Sequence, residues 1–244
     1  MDYGIQLYSL RDITEKDLRG ALKAVADIGY RKVEFAGYFG HSAEEIRSWM
    51  DAYGLTCCSS HDGYTGIAEH FAETVAFHKT LGNPNIIVPG FRCTTEADLN
   101  AFIDFANEYQ PKLAAEGIRL GYHNHSHEFL PTEFGKYIHA EIERRTKVEF
   151  EIDTFWAFNA GVDPVATLDR LGDRIRVIHV KDGMKGGLHG GEGKPLGQGE
   201  APVAAVYAKA VERGFGMIVE SETLKPDGIT EARICFEYLK SLEK

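Results

Sequence analysis

Short strand-forming runs and amphipathic helical stretches alternate along this chain from end to end, and no other feature restricts its fold as strongly. Residues 3–8 are rich in strand formers, and residues 17–28 carry Leu18, Leu22, Val25 and Ile28 at helical spacing before Gly29 stops the helix. Further strand-like runs fall at 32–35, 55–60, 85–88, 119–123, 148–153, 175–180 and 217–220. Between and after them lie helical stretches at 42–53, 67–81, 95–116, 137–144, 163–171, 201–213 and 229–242, with a break or restart expected at Pro111. Ser42 ahead of Glu45 and the pair Asp163–Pro164 are helix starts, while Gly54, Gly82, Gly117, Gly172 and Gly214 mark stops. Strands joined through helices pair in parallel by right-handed crossovers. About eight such units in 244 residues predict an α/β chain closed as a (β/α)8 TIM barrel, one domain over 1–244, rather than an open doubly wound sheet. No G-x-G-x-x-G follows the first strand, which argues against a dinucleotide fold, and no composition break divides the chain.

The ends of four late strands bear on function. Residues 148–153 (VEFEID), 176–182 (RVIHVKD) and 217–220 (MIVE) stop on, or contain near their ends, Asp153, His179 and Glu220. Residues 119–122 run into His123, Asn124, His125, His127 and Glu128. In a parallel barrel all C-terminal strand ends open on one face, so ligand-type side chains far apart in sequence converge there. Each has a plainer reading. An Asp after a strand is often a helix N-cap, a lone His on an apolar strand is often a hydrogen-bonded core residue, and a buried Glu often sits in an ion pair. Three consecutive strands ending on Asp, His and Glu are harder to explain in that way. Alternation places His123 and His125 on one side of the fifth strand. Some of these histidines would then only hydrogen-bond the ligands.

The order of motifs is similar to one known family. Y-H-N-H-x-x-E-F (122–129), D-x-F-W (153–156) with G-V-D-P (161–164), H-V-K-D (179–182), a glycine-rich stretch and a closing V-E (219–220) resemble the xylose-isomerase-like sugar isomerase/epimerase superfamily, as does the opening GIQLYSLRD (4–12). The resemblance spans essentially the whole chain. It implies a TIM barrel in which Glu, Asp, His and Glu from strands five to eight hold one divalent ion, and Asp153, His179 and Glu220 match three of these. Strand five departs from the pattern, because many members have Glu-Asn-His where this chain has His123–Asn124–His125. Either His123 takes the place of the carboxylate or Glu128 supplies it from the loop; the family's use of a carboxylate favours Glu128. With three carboxylates and one imidazole, the ion expected is Mn²⁺, Mg²⁺ or Co²⁺, with Zn²⁺ as a further candidate.

The resemblance implies isomerisation or epimerisation of a sugar, keto-sugar or cyclitol through an enediolate, with Glu220 as base and His125 or Glu128 returning the proton. Expulsion of a β-substituent from the same enediolate, giving a dehydratase or lyase, is the alternative. A sugar-binding barrel without turnover is the non-enzymatic one. Gln6, Glu34, His61, His123, Trp156 and Lys181 are the expected substrate-binding residues, although Glu34 suits a salt bridge and Trp156 suits core packing equally well. Residues 183–199 (GMKGGLHGGEGKPLGQG) are expected as a flexible loop over the site, and Lys181, Lys185 and Lys194 would permit a phosphate without forming a P-loop.

Composition narrows the partners. A net charge of −10 argues against nucleic acid, whose phosphates call for a clustered basic face. Cys57, Cys58, Cys93 and Cys235 lack metal-site spacing and read as buried thiols in a reducing compartment, and the start of the chain lacks a signal-peptide pattern. No apolar run reaches the roughly 18 residues of a spanning helix. The expectation is a cytoplasmic carbohydrate enzyme without membrane contact, and a homodimer by analogy with the family.

Overall fold

In the computed structural model, which describes residues 1–187 and 190–244, eight parallel strands close on one another in the order β1-β10-β7-β6-β5-β4-β3-β2. They are β1 (Gly4–Gln6), β2 (Lys32–Phe35), β3 (Thr56–His61), β4 (Asn85–Val88), β5 (Arg119–His123), β6 (Glu149–Asp153), β7 (Ile175–Val180) and β10 (Gly216–Val219). An antiparallel hairpin, β8 (Asp182–Lys185) and β9 (Gly191–Lys194), follows β7 outside the barrel.

Helix boundaries follow local chemistry. Ser42 and Glu45 form a reciprocal capping box at the start of Ala43–Tyr53, and left-handed Gly54 (φ 67°) ends it. Thr95 and Asp98 do the same for Glu96–Ala115. That helix runs through Pro111 without the expected break. Asn107 and Pro111 are both exposed, so the carbonyl that loses its partner there can turn to water. The stretch expected at 67–81 is two helices, Tyr64–Glu69 and Phe71–Leu81, meeting at His70.

Two further departures lie at the barrel mouth. The first strand stops at Gln6, because its side chain accepts a bond from the Tyr8 N–H (3.0 Å) and turns the chain into a short 3₁₀ segment, Leu7–Leu10. The 183–199 segment is only partly loop. Its ends pair as β8 and β9, and a Cβ on Gly183 would lie 2.6 Å from both the Glu192 carbonyl and the Phe155 ring, a fit that only glycine allows. Asp182 holds the return path together, its carboxylate accepting from the N–H groups of Gly183, Gly197, Gly199 and Ala201. Of that segment, Leu188 and His189 lie outside the described residues.

The apolar core fills the space between barrel and helices, whereas the upper interior of the barrel is polar. Gln6, Glu34, Ser59, His123, Glu151, Asp153 and His179 are all buried. Parallel register sets them at matching heights: Gln6 beside Glu34, Glu34 beside Ser59, His123 beside Glu151, and Asp153 beside His179. No helix among the described residues is long and apolar enough to cross a membrane.

Candidate metal centre

Strand ends deliver the outermost polar cluster. His123 closes β5, Asp153 closes β6, His179 is the penultimate residue of β7, and Glu220 follows the last residue of β10. One nitrogen or oxygen from each lies within 4.8 Å of the others. His179 turns Nδ1 to Glu220 (3.3 Å) and Asp153 (3.9 Å), and Lys181 Nζ reaches Glu220 at 3.0 Å and Asp153 at 3.7 Å. Asp153 also caps the helix Thr154–Asn159 through the Trp156 N–H (2.8 Å), but its other oxygen, Oδ2, is buried without a hydrogen-bond partner. The Lys181 ammonium, 3.7 Å from Oδ2, is too distant to bond it and leaves its lone pairs open to a nearer cation. With two carboxylates, two imidazoles and this orphaned oxygen, the residues fit a divalent ion.

Asn124, between the two histidines of the motif, fastens β5 to β6. Its Oδ1 accepts from the Asp153 N–H (3.1 Å) and its Nδ2 donates to the Asp153 carbonyl (3.2 Å). The strand ends at His123, immediately before Asn124. The strict alternation expected through residue 125 therefore stops two residues early. His125 is partly exposed at the mouth of a cavity of about 350 Å³ lined by Tyr8, Ala36, His61, Pro89, His123, His125, Glu220 and Glu222.

Glu128 stands apart from this cluster. It is fully buried and accepts bonds from the Tyr122 hydroxyl (3.0 Å) and the His125 N–H (2.8 Å), with His127 Nε2 at 3.3 Å. Those contacts turn the carboxylate into the loop, toward Tyr122 on the outer side of β5. The structure brings His123, not Glu128, to Asp153, His179 and Glu220.

The other expected binding residues fall into two groups. His61, His123 and Glu220 line the cavity, and Lys181, although buried, is bonded to two carboxylates there, Glu220 and Glu222. Trp156 is half-buried, its ring 4.7 Å from the Lys181 ammonium. Gln6 and Glu34 lie deeper. The Gln6 amide donates to Glu34 (2.5 Å) and its carbonyl accepts from Tyr8, so it has little left for a sugar. Glu34 also accepts from Ser59 Oγ and contacts His179 Nε2 at 2.7 Å. The salt-bridge alternative for Glu34 is the arrangement the structure shows.

Electrostatics separates these groups. Burial works against the Glu220 carboxylate, but Lys181 and His179 outweigh it and hold its pKa well below the usual range. Asp153 is pushed up to about 6 by burial, with Glu220 adding to the effect against Lys181. Burial and the neighbouring His179 and His61 keep His123 well below ordinary histidine, so it remains neutral and able to ligate. His125 is raised: burial lowers it, and its bond to Glu128 and that residue's charge more than compensate.

Glu151 went unremarked at the sequence level. It lies two residues before Asp153 on the same face of β6, so strict alternation would have placed it inside the barrel. Glu222, which also faces the cavity, follows Glu220 at the same spacing. The helix Thr154–Asn159 was equally unforeseen.

The family model described as xylose isomerase-like TIM barrel matches residues 22–242. Among solved structures, a sugar phosphate isomerase/epimerase from Parabacteroides distasonis superposes with a TM-score of 0.83 at 27% identity, over 97% of this chain and 96% of that one. The IolI protein with a bound zinc atom gives a TM-score of 0.77 at 14% identity, over 99% and 98%. The probable 3-DHS dehydratase AsbF from Bacillus anthracis gives 0.74 at 11%, over 98% and 99%. At those lower identities the likeness is one of fold. The chain matches no curated protein.

Proposed function

From the premise that this chain belongs to the xylose isomerase-like TIM-barrel family, we propose that it is a divalent-metal-dependent isomerase or epimerase of a sugar, keto-sugar or cyclitol. The convergence of His123, Asp153, His179 and Glu220 around the bare Asp153 oxygen carries this proposal. His123 takes the strand-five position in the ligand set. A bound ion would polarise a substrate carbonyl and stabilise the negative charge that develops on its oxygen.

The chain's own groups supply the proton transfers. Glu220 lines the cavity as a carboxylate and is placed to take a proton from carbon beside the carbonyl, which a bound ion would acidify for so weak a base. Lys181, held charged against Glu220 and Asp153, fixes the carboxylate's direction. His125 lines the same cavity, and its raised pKa favours the protonated form that can return a proton. Glu128 supports His125 rather than meeting substrate. Trp156 offers a flat apolar surface beside Lys181. Two carboxylates with two imidazoles accommodate Zn²⁺ or Co²⁺ as readily as Mn²⁺.

One observation favours a second reaction. His125 as a cavity-facing acid can protonate a departing oxygen as well as a carbon, so elimination from the same enediolate would give a dehydratase or lyase. Product analysis separates the two. A panel of ketoses and keto-glycosides is incubated with metal-loaded protein and followed by NMR and mass spectrometry. A product of unchanged mass supports isomerisation, and loss of water or an aglycone supports elimination. Sugar binding without any product, across loaded and stripped protein, contradicts both.

A further inference from the structure

Below the outer cluster, three imidazoles converge on a single oxygen. Glu151 Oε2 lies 2.8 Å from His61 Nε2, 3.2 Å from His123 Nδ1 and 3.3 Å from His179 Nε2. The three rings surround it with centroids 4.7, 4.9 and 5.5 Å apart. Ligands of a tetrahedral zinc, each about 2.0–2.1 Å from the metal, stand roughly 3.3 Å from one another. The three nitrogen–oxygen spacings are of that size, and all four ligand atoms lie within 4.8 Å of one another.

Hydrogen bonding does not account for all of these approaches. His123 Nδ1 is buried and close to Glu151, yet makes no hydrogen bond, and Glu151 Oε1 is buried without a partner. Polar atoms that crowd together while pointing past one another are arranged as ligands of a common cation are. Charge leads the same way. Glu34 and Glu151 are both fully buried, and the nearest ammonium, Lys181, is taken up by Glu220, Asp153 and Glu222. Apart from the Gln6 amide and the Ser59 hydroxyl on Glu34, imidazoles of His61, His123 and His179 face the inner pair. A divalent ion among these rings would offset the repulsion between two carboxylates buried together.

We propose that His61, His123, Glu151 and His179 form a second, inner cation site, distinct from the outer position, that binds Zn²⁺. Three imidazoles and one carboxylate make a set suited to zinc rather than to Mg²⁺ or Ca²⁺. His179 can serve both positions, since its Nδ1 faces Asp153 and Glu220 while its Nε2 faces Glu151 and Glu34. On binding, His179 Nε2 exchanges its contact with Glu34 for the ion, any proton on a ligating nitrogen passes to solvent, and Glu34 retains Gln6 and Ser59. The inference rests on the proposed outer position only in that the two share His123 and His179.

The test counts zinc by elemental analysis after the full chain is stripped, equilibrated with Zn²⁺ and gel-filtered. Wild type should carry two ions per chain, and Asp153→Asn/Glu220→Gln should keep one. Adding Glu151→Gln to that pair should remove the last ion or weaken it at least tenfold. Cobalt substitution of the Asp153→Asn/Glu220→Gln variant should give the intense visible bands of a tetrahedral site. A folded Asp153→Asn/Glu220→Gln protein that binds no zinc overturns the proposal and leaves the proposed function standing. One that keeps zinc and still exchanges a substrate proton supports the inner site and removes the function assigned to the outer one. Should that variant fail to fold, wild type is compared with His61→Ala. Two ions against one supports the inner site, and equal counts overturn it.

Discussion

His139 shows how far a single side chain can set the behaviour of the whole. Its ring is stacked between Phe129 and Phe150, at 4.5 and 4.6 Å, and its Nε2 has no partner. Burial and the nearby Arg170 push its pKa down to about 3. The folded chain therefore refuses a proton that the unfolded chain accepts near pH 6.5. Between these values the unfolded state binds more protons, so stability is lost as pH falls from about 6.5 toward 3, at up to roughly 1.4 kcal/mol per pH unit from this one group. His139→Phe should flatten that part of the curve when denaturant midpoints of variant and wild type are compared from pH 7 to 4. Parallel curves would remove His139 as the cause. At the metal, His123→Ala should weaken binding at the outer position by more than the roughly 10–100-fold expected for a residue that only supports a ligand. Glu128→Gln should leave the metal in place and lower turnover through His125. Titration calorimetry with Co²⁺, run beside a turnover assay, checks both. Metal lost with Glu128→Gln and kept with His123→Ala would return the ligand's place to the loop.

The hairpin β8–β9 is the element that the sequence hid best. Glycines at 183, 186, 187, 190 and 191 suggest chain freedom, but several are there for close approach. Gly183 lies against Phe155, and Gly191 against Phe155 and Trp156. What makes the segment a structure is Asp182, whose four backbone donors span residues 183 to 201 and leave no local periodicity to detect. Asp182→Ala should cost about 2–4 kcal/mol, because buried N–H groups lose their acceptor, and should expose the hairpin to protease first. A melting curve with limited proteolysis measures both; unchanged cleavage sites would contradict this role. Six of the eight barrel strands were legible because two signals coincide, a short strand-forming run and a glycine stop before it, while residues 3–8 and 148–153 carried the run alone. The convergence of Asp153, His179 and Glu220 was legible because strand ends carry them. The strand-five member of that cluster was not, because His123 joins it where β5 ends, beside Asn124's two bonds to Asp153, 29 residues away. Glu151 shared the face of Asp153 and was recoverable from alternation alone.

At the scale of the molecule, closure of the barrel makes the centre possible. The first and last strands pair through Gly4 with Ile218 and Ile5 with Val219, which sets Glu220 against residues from β5, β6 and β7. The closing helix, Gly228–Leu242, seals that seam. Tyr30 donates to the Ala232 carbonyl (2.9 Å), and Phe236 packs edge-on against Tyr3 and Tyr30. Gly29 admits the Phe236 ring, as a Cβ there would fall 2.5 Å from it at a φ of 128°. Gly29→Ala should therefore lower the melting temperature and weaken metal binding together, although it lies outside the site. In the proposed function the outer ion and Glu220 together make a carbon acid of the substrate. Solvent-deuterium incorporation into a ketose tests it most directly, with protein stripped of metal, then reloaded. Exchange at the carbon beside the carbonyl is expected in the loaded protein, with its loss on chelation, its return with Co²⁺, Mn²⁺ or Zn²⁺, and its absence in Glu220→Gln. Exchange that persists in fully stripped protein would contradict it.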